Sequence, residues 1–96
     1  MHIITRKRLM DFAEKHPDCT TALKSWHRIV KHSDFTSFND LRRTFPSADI
    51  VDNLTVFNIG GNKVRLIAAV HYNTKRIYIR HVLTHNEYDR GAWRKK

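Results

Sequence analysis

The sequence predicts an α+β fold: an antiparallel meander sheet with two N-terminal helices packed on one of its faces. Three observations point there. Apolar residues recur at helical spacing as far as Phe45 and at a spacing of two from Leu54 onward. Two turn signals divide that second part into hairpins. The chain has 96 residues, enough for one modest core and one domain, taken as 1–96.

His2-Ile3-Ile4-Thr5 reads as a short strand that can join the sheet, with Thr5 placed to cap the first helix. Leu9, Phe12, Ala13 and His16 share one side of that helix, over 6–16, which Pro17 ends by pushing the residue before it out of the helical region. Asp18 is then the expected N-cap of a second helix, whose inner face is Cys19, Ala22, Leu23, Trp26, Ile29 and Val30. Lys24, Arg28 and Lys31 fall outside that face. A short helix over 37–45 is capped by Ser37, apolar on Phe38, Leu41 and Phe45, and stopped by Pro46. Residues 46–53 read as loop, with one extended turn at Ile50-Val51.

Val56 to Ile59, the turn Gly60-Gly61-Asn62, and Lys63 to Tyr72 form a hairpin, and Asn73-Thr74 turns the chain into Lys75 to Leu83. A two-residue turn at Asn73-Thr74 sets Val70 opposite Ile77, Ala68 opposite Ile79, Leu66 opposite His81 and Val64 opposite Leu83. That face is nearly all apolar and belongs against the helices. The other face carries Arg65, Ile67, Ala69 and His71 on one strand and Arg76, Tyr78, Arg80 and Val82 on the next, with Asn58 facing Arg65. A slip of one residue would bury the arginines. Thr84-His85-Asn86-Glu87 has capping-box spacing and opens a helical turn that holds Tyr88 and Asp89 and ends at Gly91. Ala92-Trp93-Arg94-Lys95-Lys96 is a basic tail.

Charge narrows the function. Eighteen Lys and Arg against nine Asp and Glu leave a formal +9, the balance of a protein that meets nucleic acid, an anionic membrane or an acidic partner. The stretch from Asn53 to Asn86 holds Lys63, Arg65, Lys75, Arg76 and Arg80 and no acid, so the positive field is expected to be strongest there. No apolar run approaches the roughly 20 residues that span a bilayer, and the order of the N-terminal residues is the reverse of a signal peptide's. A lone cysteine, Cys19, fits a reducing cytoplasm and argues against a cysteine metal site. Neither a metal nor any other cofactor is expected: no Cys or carboxylate set joins His81 and His85.

Cleavage of RNA without a metal needs a base for the 2′-OH proton, an acid for the leaving 5′-oxygen and fixed positive charge at the phosphorus. Histidine can do either proton job near neutral pH, the arginine fork matches two phosphate oxygens, and tyrosine can stack on a base. The candidates are Arg65, Tyr78 and Arg80 on the free sheet face and His85, Glu87, Tyr88 and Asp89 beyond the last strand. Each has a plainer use. The arginines can be solvated strand charges, Tyr78 a packing residue and Glu87 the capping partner of Thr84. Asp89 can orient a histidine or pair with Arg90. His81 falls on the core face as a buried histidine, Trp26 in the helix core, and Trp93 either packs or stacks on nucleic acid.

Two stretches carry more. Val56 to Ala68, with its VFNIGGN hairpin, and Tyr78 to Asp89, ending in THNEYD, resemble the HigB-type branch of the RelE-like bacterial toxins. His2-Ile3-Ile4 and Phe45 to Asp49 are similar too, so the resemblance spans essentially the whole chain. It implies a RelE-like fold and the toxin of a type II toxin–antitoxin pair, a metal-independent mRNA endoribonuclease, or mRNA interferase, that inhibits translation. It also implies mRNA and the ribosome as partners, and a helix-turn-helix antitoxin. Arg65, Arg80, His85, Tyr88 and Asp89 match by position the charged and proton-transferring groups of such toxins. Around them Lys63, Arg76 and Tyr78 are expected to hold flanking RNA. Some members of the superfamily instead poison DNA gyrase and cleave nothing, and a plain RNA-binding module is the third alternative.

Overall fold

One short strand opens the chain, and the longer helices then precede the antiparallel strands, as the change of period requires. The computed structural model describes residues 1–61 and 63–94. The chain runs β1 (His2–Ile4), α1 (Arg6–Lys15), α2 (Thr20–Lys31), α3 (Phe38–Thr44), β2 (Asp49–Val51), β3 (Leu54–Ile59), β4 (Val64–His71), β5 (Arg76–Thr84) and α4 (His85–Arg90). Single 3-10 turns at Pro17–Cys19 and Ala92–Arg94 complete it. The sheet order is β1-β5-β4-β3-β2, with β1 parallel to β5 and every other pair antiparallel. The fold is α+β. No described helix is long and apolar enough to cross a membrane.

Several ends differ from the sequence expectation. Thr5 sits in the left-handed region, with φ 65°, and its hydroxyl donates to the Ile4 carbonyl, so its side chain does not cap α1. Pro17 begins a 3-10 turn that includes Asp18 and delays α2 to Thr20, so Asp18 makes no capping bond either. Leu23, Trp26 and Val30 form the buried stripe of α2, whereas Ile29 turns out of it and is 37% exposed. Ser37 does cap α3, accepting from the Asp40 amide at 3.1 Å, while Asp40 reaches back to the Thr36 amide at 3.0 Å.

Residues 49–51 form a strand rather than a loop. Asp52 and Asn53, at φ 51° and 66°, make the two-residue turn that pairs β2 with β3. Both central positions of such a turn need positive φ, which Asp and Asn tolerate better than other non-glycine residues. The core lies between the helices and one sheet face. Leu9, Leu23, Trp26, Val30 and Leu41 meet Phe57, Leu66, Ala68, Ile77 and Ile79, all at most 5% exposed.

A β-bulge decides what the other face presents. The expected register holds for Val70 with Ile77, Ala68 with Ile79, and Asn58 with Arg65. Between Ile67 and Ala68 it shifts: Ile67 pairs with His81, leaving Arg80 as the extra residue of β5. From there on the alternation reverses. Leu66 pairs with Val82, which packs on the core, and Arg65 pairs with Leu83. His81 therefore leaves the core face for the side of Ile67 and lies 6.4 Å from the Trp93 ring. Nor is this second face open throughout. Val56 and Ile67 on it are 4% and 0% exposed, and α4 packs across β4 and β5.

Candidate active site at the start of α4

The capping box fixes where α4 begins. Thr84 Oγ1 accepts from the Glu87 amide at 3.2 Å, and Glu87 Oε1 accepts from the Thr84 amide at 2.9 Å. The bond from the Thr84 amide, more than any nearby charge, holds the Glu87 carboxyl below its ordinary range. Glu87 is thus occupied in the cap. Gly91, at φ 72°, closes the helix. The His85 amide is tied to the Lys63 carbonyl at 3.2 Å, so the first residue of α4 is anchored to the start of β4.

His85 stands in a chain of polar contacts. Its Nδ1 is 3.2 Å from Arg65 Nη2, and its Nε2 is 3.0 Å from Asp89 Oδ2, one helical turn on. A guanidinium only donates, so the contact requires Nδ1 to be the acceptor and places the ring proton on Nε2, toward Asp89. The accepting ring nitrogen thus stands beside a fixed positive charge. Arg65 also lies 5.5 Å from the centroid of the Tyr88 ring, within cation–π range. Its Nη1 is buried without a hydrogen-bond partner among the described residues. Side chains of His85 and Asp89 are about half exposed, at 51% and 57%, so a substrate can reach them.

Arg65, His85, Tyr88 and Asp89 therefore come together, each touching at least one of the others. Lys63 adjoins them, lining with His85, Asn86 and His16 a hollow of about 390 Å³ between α1 and α4. Arg80 stands at the bulge in a neighbouring cleft. Arg76 and Tyr78 lie toward the far end of β5, beside β1, where Tyr78 packs edge-on to His71 at 5.1 Å. Trp93 stacks on Tyr88, with centroids 5.3 Å apart, and donates from Nε1 to the Tyr88 carbonyl at 3.1 Å. His16 had no sequence signal beyond its place on the inner side of α1. Asp89 did: its spacing of four from His85 is the contact spacing of a helix. Among the described residues no three His, Cys, Asp or Glu side chains are grouped to hold a metal. Lys95 and Lys96 of the basic tail lie outside the described residues.

Known proteins resemble this chain over most of its length. Residues 19–91 match the HigB toxin family, described as the RelE-like toxic component of a toxin–antitoxin system. The mRNA interferase toxin HigB of Escherichia coli K12 is 41% identical over 92 residues, covering 93% of this chain and 88% of that one. The mRNA interferase HigB of Shigella flexneri aligns equally well, at 41% with the same coverage. The protein of that name from Escherichia coli O6:H1 is 34% identical over 93 residues, 94% of this chain and 90% of its own. With a family match over most of its length and near-full-length relatives above 30% identity, the chain belongs to the HigB family of RelE-like toxins.

Proposed function

We propose that this toxin is an mRNA endoribonuclease whose cutting site is the cluster Arg65, His85, Tyr88 and Asp89. The observation that carries the reading is the contact chain Arg65–His85–Asp89: a histidine with an accepting nitrogen, an arginine beside it and a carboxylate behind it. This is the base-and-orienter geometry that nucleophile activation uses generally. Arg65 Nη2, on the exposed side of the guanidinium, supplies a donor for a phosphate oxygen once it leaves His85.

In this reading the scissile phosphate displaces the Arg65–His85 contact and takes the guanidinium. His85 Nδ1, released, accepts the proton of the 2′-OH. The 2′-oxygen attacks phosphorus, the bond to the 5′-oxygen breaks, that oxygen takes a proton from water and leaves as a 5′-hydroxyl, and a 2′,3′-cyclic phosphate remains. Asp89 keeps the ring oriented and stabilises the imidazolium that forms. Arg65 opposes the charge growing on the phosphoryl oxygens. Tyr88 fixes Arg65 from its other side. Lys63, Arg76, Tyr78 and Arg80 hold the RNA on either flank. The relatives carry the name mRNA interferase, which makes messenger RNA the substrate to test first. The reading extends to mRNA presented on the ribosome, in the cytoplasm, and to a helix-turn-helix antitoxin as the neutralising partner.

Inducing the Arg65→Ala/His85→Ala variant without antitoxin tests the assignment. Growth arrest and transcript cleavage are expected to vanish, and undiminished arrest would overturn the site. Intact transcripts with DNA-damage signalling after induction of the unaltered toxin would point instead to a gyrase poison.

A further inference from the structure

Beside the hollow at the His85 cluster lies a larger cleft. It measures about 740 Å³ and lies between the β5 bulge, the β2–β3 turn and the C-terminal 3-10 turn. Its walls include Arg80, His81, Trp93, Arg94, Asp52 and Asn53. The bulge supplies two of these at once, since both Arg80 and His81 fall opposite Ile67. The Asp52 carboxylate accepts from Arg94 Nε at 2.9 Å and pins the C-terminal turn across the face. Trp93 links cleft and cutting site: it stacks on Tyr88, which itself contacts Arg65, while standing 6.4 Å from His81 on the cleft side.

We propose that this cleft is a nucleotide subsite, which holds the RNA residue next to the cut with its phosphate at Arg80 and Arg94 and its base against Trp93 and His81. The proposal rests on the cutting site lying at His85. The chemistry is that of single-strand recognition. An aromatic wall takes any base face, cations take the backbone, and side-chain groups at the rim read a base edge. Asn53 is placed to do that last part. Burial and the neighbouring Arg8 and Arg80 charges keep the His81 imidazole neutral near pH 7, so it can face a base without adding charge. An acidic protein segment is the competing occupant. It would use Arg80 and Arg94 but has no use for a flat aromatic wall beside the cut.

The two tryptophans make the test simple. Trp26 is 2% exposed, inside the core, so a ligand in the cleft changes the fluorescence of Trp93 alone. The full chain is titrated with a fully 2′-O-methylated single-stranded RNA octamer, which cannot be cleaved, end-labelled so that anisotropy reports total binding. Saturable change in tryptophan fluorescence is expected, lost in Trp93→Phe and kept in His85→Ala. Arg80→Ala should weaken binding about tenfold and lower the salt slope by about one. Three results would overturn the subsite: no binding, binding with silent Trp93, or poly-glutamate moving Trp93 as strongly as RNA does. The cutting site is judged separately by growth arrest. If His85→Ala stays harmless to cells while Trp93 is silent to RNA, the subsite falls and the cutting site stands.

Discussion

At the scale of single residues, each group of the cluster limits what the next can do. Arg65 can only donate, so His85 Nδ1 must accept, and Asp89 then holds the remaining ring proton. Removing the base should cost more than removing its orienter. His85→Ala is expected to lower RNA cleavage by about 10²–10⁴-fold and Arg65→Ala by about 10²–10³-fold. Asp89→Ala leaves the base in place but unoriented, and about a tenfold loss is expected. Single-turnover cleavage by the three variants checks the order, and an Asp89→Ala defect as large as that of His85→Ala would contradict it. Much of this cluster was legible in the sequence. Position on the second sheet face marked Arg65, and the capping-box spacing marked the strand end that carries His85. The contacts were not legible, because Arg65 and His85 are twenty residues apart and meet only through the fold.

At the scale of elements, α4 and the bulge set the site. The capping box fixes the first turn of α4, so Thr84→Ala should destabilise the protein by about 1 kcal/mol. For a domain of this size that lowers Tm by about 4–8 °C. Glu87 adds a pH dependence. Its carboxyl titrates below the ordinary glutamate range in the folded chain, so its contribution is fully present above that range and is lost as pH falls through the lowered folded value. Stability curves for Glu87→Ala and the unaltered protein should therefore converge at low pH, where the carboxylate is protonated. A gap that persists undiminished would mean that the carboxylate plays no part. The bulge was not legible. Strict alternation fits Arg76, Tyr78 and Arg80 equally well without it, and nothing in the residue types marks an extra residue. It is what moves His81 to the second face and returns Val82 to the core. The strand at 49–51 was missed for a different reason: its turn is Asp52-Asn53, without the glycine that usually announces such a turn.

At the scale of the molecule, the second sheet face is divided. One end is roofed by α4 and the C-terminal turn, and Arg80, Tyr78 and Arg76 continue along β5 away from it over about 13 Å, at about 3.3 Å per strand residue. Because the roof buries Ile67 completely, Ile67→Ala should cost about 2–5 kcal/mol, read as a shift in urea midpoint. On a fully open face the same change would cost far less, so a shift under about 1 kcal/mol would deny that the roof is seated. The +9 charge was the first feature to suggest a polyanion, and the sequence confined much of it to an acid-free stretch. Which of those cations cluster was decided by topology. Lys63 and Arg65 lie by His85, Arg80 stands one cleft away, and Arg76 is at the far end beside β1.

One contact chain, Arg65 to His85 to Asp89, is proposed to cut RNA. The most direct measurement maps transcript 5′ ends in cells after brief induction of the unaltered toxin and of His85→Ala, with the melting temperature of each purified protein as the folding control. New 5′ ends should accumulate with the unaltered toxin and be absent with His85→Ala at an unchanged melting temperature. The same ends at the same frequency in His85→Ala would contradict the account.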